Sequence, residues 1–375
     1  MKILNNITLA LAVAIYLVLQ PFQANSQTKI QQAEQAFEEE RFEDAIDLTT
    51  SLIEAEPNNK EAFNLRGEAR NALANFYGAV GDYNRAIEID STFISAWINR
   101  AHAKFNLGDD EGAFLDYDKA ISLDPKNAEA YTGRGFANYN LDDLEGANFD
   151  FSKAIELDPE DPDIYFNRAV VRAELDEFIG AIDDYTASIK LDPSDADVYS
   201  YRGVAYFNIG RVDEAIKDYD KAIEMDDKDP VKYENRALAR AAKENYAGAA
   251  EDYTRSIELY DEDPETFNLR GVAYYHLGEH DKAIADYTRA IEIDPENPVF
   301  YDNRGLSRAE QNDYEGAEKD YTVSIELYPS DPETYVQRGL ARIKQNKTEP
   351  GCVDLRMAVE LGAEGMEETI QEYCK

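Results

Sequence analysis

The chain has 375 residues, and 77 acidic against 38 basic side chains leave a formal charge of −39. A surface this acidic repels nucleic-acid phosphates and anionic lipid headgroups, which argues against both as partners. Hydrophobic residues make up 43% of the chain and Tyr alone numbers 25, too much apolar and aromatic surface for a disordered acidic tail.

At the N-terminus Lys2 precedes the uncharged run Ile7–Leu19, Pro21 breaks it, and Ala24–Ser26 place small residues before Gln27. That order reads as a secretory signal peptide over residues 1–26. As a helix the run spans roughly 20 Å, short of a ~30 Å hydrocarbon core, and an uncleaved anchor is the alternative. No Cys stands near it to take a lipid, and no Arg pair marks twin-arginine export. The remainder is expected to be exported and soluble, in a bacterial periplasm or at the cell surface, with no membrane insertion.

Past this point the chain repeats itself. Pro125, Pro159, Pro193, Pro295 and Pro329 are 34 residues apart or a multiple of 34. The frame divides the chain without insertion into ten repeats: 26–59, 60–93, 94–127, 128–161, 162–195, 196–229, 230–263, 264–297, 298–331 and 332–365. Each reads as two helices. In AEAYTGRGFANYN, from Ala128, large and small residues recur at three- and four-residue spacing, and LEGANFDFSKAIELDPED continues as a second periodic run. The turn between them often carries Gly108, Gly210, Gly278 or Asn312, residues that accept positive φ. Pro or Asp near the end of the repeat stops the second helix and starts the next.

Position 4 of the frame is large (Phe63, Trp97, Tyr131, Tyr165, Tyr199), position 8 is Gly or Ala, and position 20 is usually Ala (Ala79, Ala113, Ala147, Ala181). Position 24 is nearly always Tyr or Phe, position 27 Ala or Ser, and position 32 often Pro. This pattern resembles the tetratricopeptide repeat, over essentially the whole chain beyond the leader. The resemblance implies an all-α solenoid, a right-handed superhelix of antiparallel helix pairs, whose concave groove is lined by the first helices. Small residues at 8, 20 and 27 would let helix axes approach while rings fill the space opposite. No residues remain for a catalytic domain, so the chain is expected not to be an enzyme.

Position 7 is Arg and position 23 is Asp in repeats two to ten, among them Arg202 with Asp218, Arg236 with Asp252 and Arg270 with Asp286. Repeat one lacks both, having Gln32 and Leu48. Nine arginines could form a track for a polyanion. Their joint absence with the acid points instead to a structural ion-pair ladder, since a buried charge without its partner costs about 3–5 kcal/mol. The pairs could meet inside one hairpin or across to its neighbour.

The pentapeptide RGVAY occurs at Arg202–Tyr206 and at Arg270–Tyr274, 68 residues apart, and marks a two-repeat alternation. Repeats five, seven and nine carry Arg at position 11 (Arg172, Arg240, Arg308), Ala at 12 and Ser at 27; repeats six and eight carry Tyr206 and Tyr274 at 11, a ring at 12 and Ala at 27. By the resemblance, positions 2, 5, 9, 12 and 13 of the first helix face the groove. That row holds Phe105, Tyr139, Phe207 and Tyr275 at 12, followed by Asn106, Asn140, Asn208 and His276 at 13. These residues are the expected partner-binding set, with packing of the rings against adjacent repeats as the alternative. Acids such as Glu61, Glu129, Glu234 and Glu265 also occupy groove positions. The Lys–Arg–Asn cluster by which some family members clamp a peptide carboxylate is absent. A neutral or basic protein or peptide segment with apolar anchors is the expected partner.

Catalytic and metal signals are weak, and no cofactor or metal is expected. His276–His280 (HLGEH) straddles an inter-helix turn and differs from HExxH; acidic turns such as Asp158–Asp163 lack calcium-loop spacing and read as helix caps. Cys352 lies about eleven residues before the turn near Gly362–Gly365 and Cys374 about ten after it, in a terminal helix that runs back over 366–375. The two are expected to face each other and form a disulfide across this cap, a loop contributing about 3 kcal/mol in the chain-entropy model. The function expected is a non-enzymatic binding scaffold. The alternatives are a holdase-type chaperone and an accessory subunit of an enzyme or secretion complex.

Overall fold

The computed structural model describes residues 28–374, and the signal-peptide reading of 1–26 lies outside them. Among the described residues every regular element is an α-helix. The described residues form two compact bodies, one ending at Asp192 and one beginning at Pro193.

The N-terminal body holds α1 (28–38), α2 (Phe42–Ala55), α3 (Lys60–Ala72), α4 (Phe76–Ile89), α5 (Ile94–Asn106), α6 (Asp110–Leu123), α7 (Ala128–Asn140), α8 (Leu144–Leu157), α9 (Pro162–Glu174) and α10 (Phe178–Leu191). The C-terminal body holds α11 (Ala196–Asn208), α12 (Val212–Met225), α13 (Pro230–Ala242), α14 (Tyr246–Leu259), α15 (Pro264–His276), α16 (His280–Ile293), α17 (Pro298–Glu310), α18 (Tyr314–Leu327), α19 (Pro332–Lys344), α20 (Thr348–Glu360) and α21 (Glu367–Tyr373). Within each body the two helices of a repeat pack as a hairpin, and each second helix packs on the first helix of the next repeat. Each body is therefore a stack of helix hairpins, the α-solenoid class.

Local sequence sets these boundaries. Asp161, Asp229, Asp263 and Asp331 cap the first helices by accepting backbone N–H bonds, and proline follows each cap at the first helical position, where no N–H is needed. Between the helices of every repeat, position 15 takes a left-handed backbone, as glycine at Gly108, Gly210 and Gly278 but as Ala74 (φ 57°) and Glu244 (φ 59°) elsewhere.

The aromatic at position 24 forms the core of each hairpin. Tyr83, Tyr117, Phe151, Tyr185, Tyr219, Tyr253, Tyr287 and Tyr321 are all almost fully buried. The rings lie so close to the first helix that a Cβ on Gly203 would come within 2.6 Å of Tyr219 Cε1, and one on Gly271 within 2.6 Å of Tyr287 Cε1. That approach is why position 8 admits only the smallest side chains.

At the C-terminus α21 packs on α20, with Met366, Ile370 and Cys374 covering the buried Val336, Leu355 and Ala358. Cys352 Sγ and Cys374 Sγ are 2.01 Å apart and their Cα atoms 5.5 Å apart.

Candidate functional site

Two side-chain systems run through the hairpins, one between the paired helices and one on the first-helix face. In the first, each position-7 arginine grips the position-23 carboxylate of its own hairpin with two bonds. Arg236 Nε and Nη2 reach Asp252 at 3.0 and 2.6 Å, Arg202 reaches Asp218 at 2.7 and 2.8 Å, and Arg270 reaches Asp286 at 2.8 and 2.7 Å. Within each body the remaining Nη1 turns to position 25 of the preceding repeat, as Arg236 to Asp220 (2.7 Å) and Arg270 to Thr254 (3.2 Å). One guanidinium thus spans both routes the pattern left open, its fixed fork matching a carboxylate while a third donor links consecutive hairpins. For Arg236, burial works against the charged form, but the bonds to Asp252 and Asp220 leave its pKa above that of a free arginine.

A second cation at position 11 is the partner that sequence reasoning missed. Arg70, Arg172, Arg240, Arg308 and Arg342 place Nη1 2.6–2.8 Å from the same Asp, and Lys104 does so on Asp116 at 2.8 Å. Where position 11 is tyrosine the second cation is missing. The Tyr206 ring lies under Arg202 and Arg211 (5.8 and 4.7 Å to the centroid), and Tyr274 under Arg270 and Lys282 (5.9 and 5.0 Å). The carboxylates record the difference: Asp252 is 4% exposed, Asp218 and Asp286 10% and 9%. The signal was available, since the Arg/Tyr choice at position 11 alternates with Ser/Ala at 27.

Position 27 belongs to the same polar system. Ser256 Oγ donates to Glu234 Oε1 at 2.6 Å, and Thr266 Oγ1 to the same oxygen at 3.1 Å. Thr334 Oγ1 likewise donates to Asp302 Oδ2 at 3.0 Å, while Asp302 Oδ1 is buried without a partner. Burial pushes the Asp302 carboxyl up to about 6, against the bonds from Ser324 and Thr334 that favour its charged form.

On the first-helix face, Phe105, Tyr139, Phe207 and Tyr275 are each half-buried, whereas Asn106, Asn140, Asn208 and His276 beside them are exposed. Phe105 leans on Phe136 of the next repeat (centroids 6.4 Å), and Tyr139 donates to Glu174 of the next repeat. Phe207 packs beside Ala215, Tyr219 and Ala239, and Tyr275 makes edge contacts with His276 and His280. Asn140 donates to Asp110 (3.0 Å), Asn208 to its own helix at Val204 (2.9 Å), and His276 stacks flat on Tyr246 (4.3 Å, 9°). The rings therefore divide their surface between repeat packing and the open face. Among the described residues, no group of three His, Cys, Asp or Glu is disposed to hold a metal ion, and no helix is long and apolar enough to cross a membrane.

Family models for the tetratricopeptide repeat match residues 128–161, 196–229 and 264–297, and a TPR repeat model matches 101–142 and 171–210. The first three spans coincide with whole repeats of the 34-residue frame, and every span contains the buried ring at position 24. The chain is a tetratricopeptide repeat protein. It is 38% identical to a protein SGT1 homolog of Oryza sativa subsp. japonica over 68 residues, 18% of this chain and 18% of that protein. Among solved structures it is similar to MamA (28% identity, TM-score 0.42, 43% of this chain and 95% of that one). It is also similar to a tetratricopeptide repeat protein from Parabacteroides merdae (17% identity, TM-score 0.49, 66% and 96%). Tetratricopeptide repeats form protein-interaction scaffolds that bind protein or peptide partners and are generally non-enzymatic.

Proposed function

We propose that this tetratricopeptide repeat protein is an exported, non-catalytic scaffold that holds segments of a protein partner on its first-helix faces. The observation that carries the reading is the row of half-buried rings at position 12, each with an exposed Asn or His beside it. Aromatic side chains supply much of the affinity in such interfaces, and amides alongside supply orientation. With a net charge of −39, the partner segment is neutral or basic and carries apolar anchors. The guanidinium groups of the ladder are spent on carboxylates inside the hairpins, which leaves them out of partner recognition.

Export is supported by the order of residues 1–26 and by the Cys352–Cys374 pair, since disulfides persist in oxidising compartments. Alkylation of envelope-derived protein with and without reductant tests this: both thiols react only after reduction if the chain is exported, and free thiols in unreduced material contradict it. Affinity capture from the envelope fraction tests the scaffold itself. The expected outcome is a saturable complex with one or a few polypeptides that Phe207→Ala with Tyr275→Ala weakens. General suppression of aggregation without saturable binding would instead identify a holdase.

A further inference from the structure

Position 3 of the first helix is small or apolar in Ala62, Ala96, Ala130, Ile164 and Val198, yet it is lysine at Lys232. That lysine is only 2% exposed. Its Nζ sits 2.8 Å from Asp197, 3.0 Å from Asp226 and 2.9 Å from Asp229. The C-terminal body therefore contains a finished ammonium site: a slot for the methylene stem, closed by three carboxylates at positions 2, 31 and 34. Burial opposes the charge, but the bonds to Asp197, Asp229 and Asp226 hold the Lys232 pKa above the ordinary lysine value.

The N-terminal body carries the same three acids in the same register, Glu129, Asp158 and Asp161, but position 3 there is Ile164. In both bodies the two aspartates use Oδ1 on backbone. Asp226 and Asp229 accept from Lys228 and Val231 (3.2 and 2.9 Å), and Asp158 and Asp161 from Glu160 and Asp163 (3.3 and 2.9 Å). In the C-terminal body the Oδ2 atoms then hold Lys232; in the N-terminal body those of Asp158 and Asp161 accept no bond among the described residues. A cavity of about 380 Å³ opens at this point, bordered by all three acids, by Ile164 and by the rings of Phe105, Tyr117 and Phe136. His102 also borders it, with Nε2 3.9 Å from Glu129, and burial keeps its imidazole toward the neutral form against the pull of that carboxylate.

We propose that this cavity receives a lysine side chain of the bound partner, its methylenes against Phe105 and Phe136 and its ammonium on Glu129, Asp158 and Asp161. The source of the lysine rests on the scaffold reading above; the affinity of the cavity for an alkylammonium does not. Three separate carboxylates suit the three donors of an ammonium, as they do for Lys232, better than the planar fork of a guanidinium. The surrounding rings add attraction for a cation.

The test is a titration of the intact chain with n-butylammonium, followed by amide NMR at Thr132 and Gly133, with n-butanol as the uncharged control. The expected result is a saturable shift with the amine alone. Glu129→Gln with Asp161→Asn keeps side-chain shape and the helix cap, and weakens the amine about tenfold or more. Ile164→Lys supplies an internal occupant and abolishes the response, while Lys232→Met opens a new saturable site read at Ser200 and Val204. An acetylated and amidated Gly-Leu-Lys-Leu-Gly peptide binds more tightly than both n-butylammonium and its norleucine counterpart. The inference is overturned by a wild-type chain that gives no saturable amine response, or by a response that survives the Glu129→Gln, Asp161→Asn pair. Amine binding without a gain for the lysine peptide overturns the peptide source. If captured partner binds while the amine does not, the cavity assignment fails and the scaffold reading stands; if the amine binds and no polypeptide is captured, the scaffold reading fails.

Discussion

Repeats 230–263 and 264–297 have the same helices and the same buried tyrosine, yet they are built from different side-chain systems. The first clamps Asp252 between Arg236 and Arg240 and ties Ser256 to Glu234, polar contacts centred on the buried Asp252 and Ser256. The second grips Asp286 with Arg270 alone, stacks Tyr274 under Arg270 and Lys282, and has Ala290 where its neighbour has serine. At position 12 the first has Ala241 and the second the half-buried Tyr275. The comparison supports a proposed division of labour between these two repeats: the first spends its polar groups on a second contact to its aspartate, and the second carries rings at positions 11 and 12.

The largest expected effect comes from removing the shared carboxylate. Asp252→Ala leaves two part-buried guanidinium groups beside each other without their shared carboxylate and should cost about 3–5 kcal/mol, whereas Asp286→Ala strands only one and should cost about 2–3 kcal/mol. Urea denaturation of the two variants checks the order; equal losses would mean that Arg240 adds nothing to the clamp. Arg236→Ala and Asp252→Ala should also be non-additive, with a coupling of about 1–3 kcal/mol in a double-mutant cycle.

A somewhat smaller effect belongs to the acid at position 5 of the polar hairpins. Burial raises the Asp302 pKa to about 6, above an unfolded value near 3.9. The folded chain therefore binds more protons between roughly pH 4 and 6, and this group's contribution to stability falls as pH rises through that window. Asp302→Asn should stabilise at pH 7 by on the order of 2 kcal/mol and lose that advantage near pH 4. An unchanged difference between the two pH values would show that Asp302 titrates normally.

The smallest effect lies in the turns, where Glu244 holds a left-handed φ of 59° and Gly278 one of 74°. Glu244→Gly should gain up to about 1 kcal/mol and Gly278→Ala should lose a similar amount, read as opposite shifts in thermal midpoint.

The repeat length, the two helices and the buried ring at position 24 are legible in the sequence because a solenoid imposes the same packing on every copy, so the pattern is reinforced along the chain. The arginine at 7 and aspartate at 23 are legible as a coupled pair for the same reason. What Arg240 does is harder to read: whether a long side chain at position 11 turns inward to Asp252 or out to solvent is decided by its rotamer, not its spacing. Lys232 is harder still, since one more lysine in an acidic chain looks like surface, and only the convergence of Asp197, Asp226 and Asp229 shows it to be buried. The position-12 rings lie between these cases. Their register is plain, but their half-buried state follows from contacts such as Phe105 on Phe136 that join different repeats.

The division of labour is tested most directly by titrating captured partner against Phe207→Ala with Tyr275→Ala, with the thermal midpoint recorded on the same samples. The double variant should lose about 2–4 kcal/mol of affinity while its midpoint stays near that of the parent. Full affinity, or early melting that accounts for the loss, would contradict the account and return the rings to repeat packing.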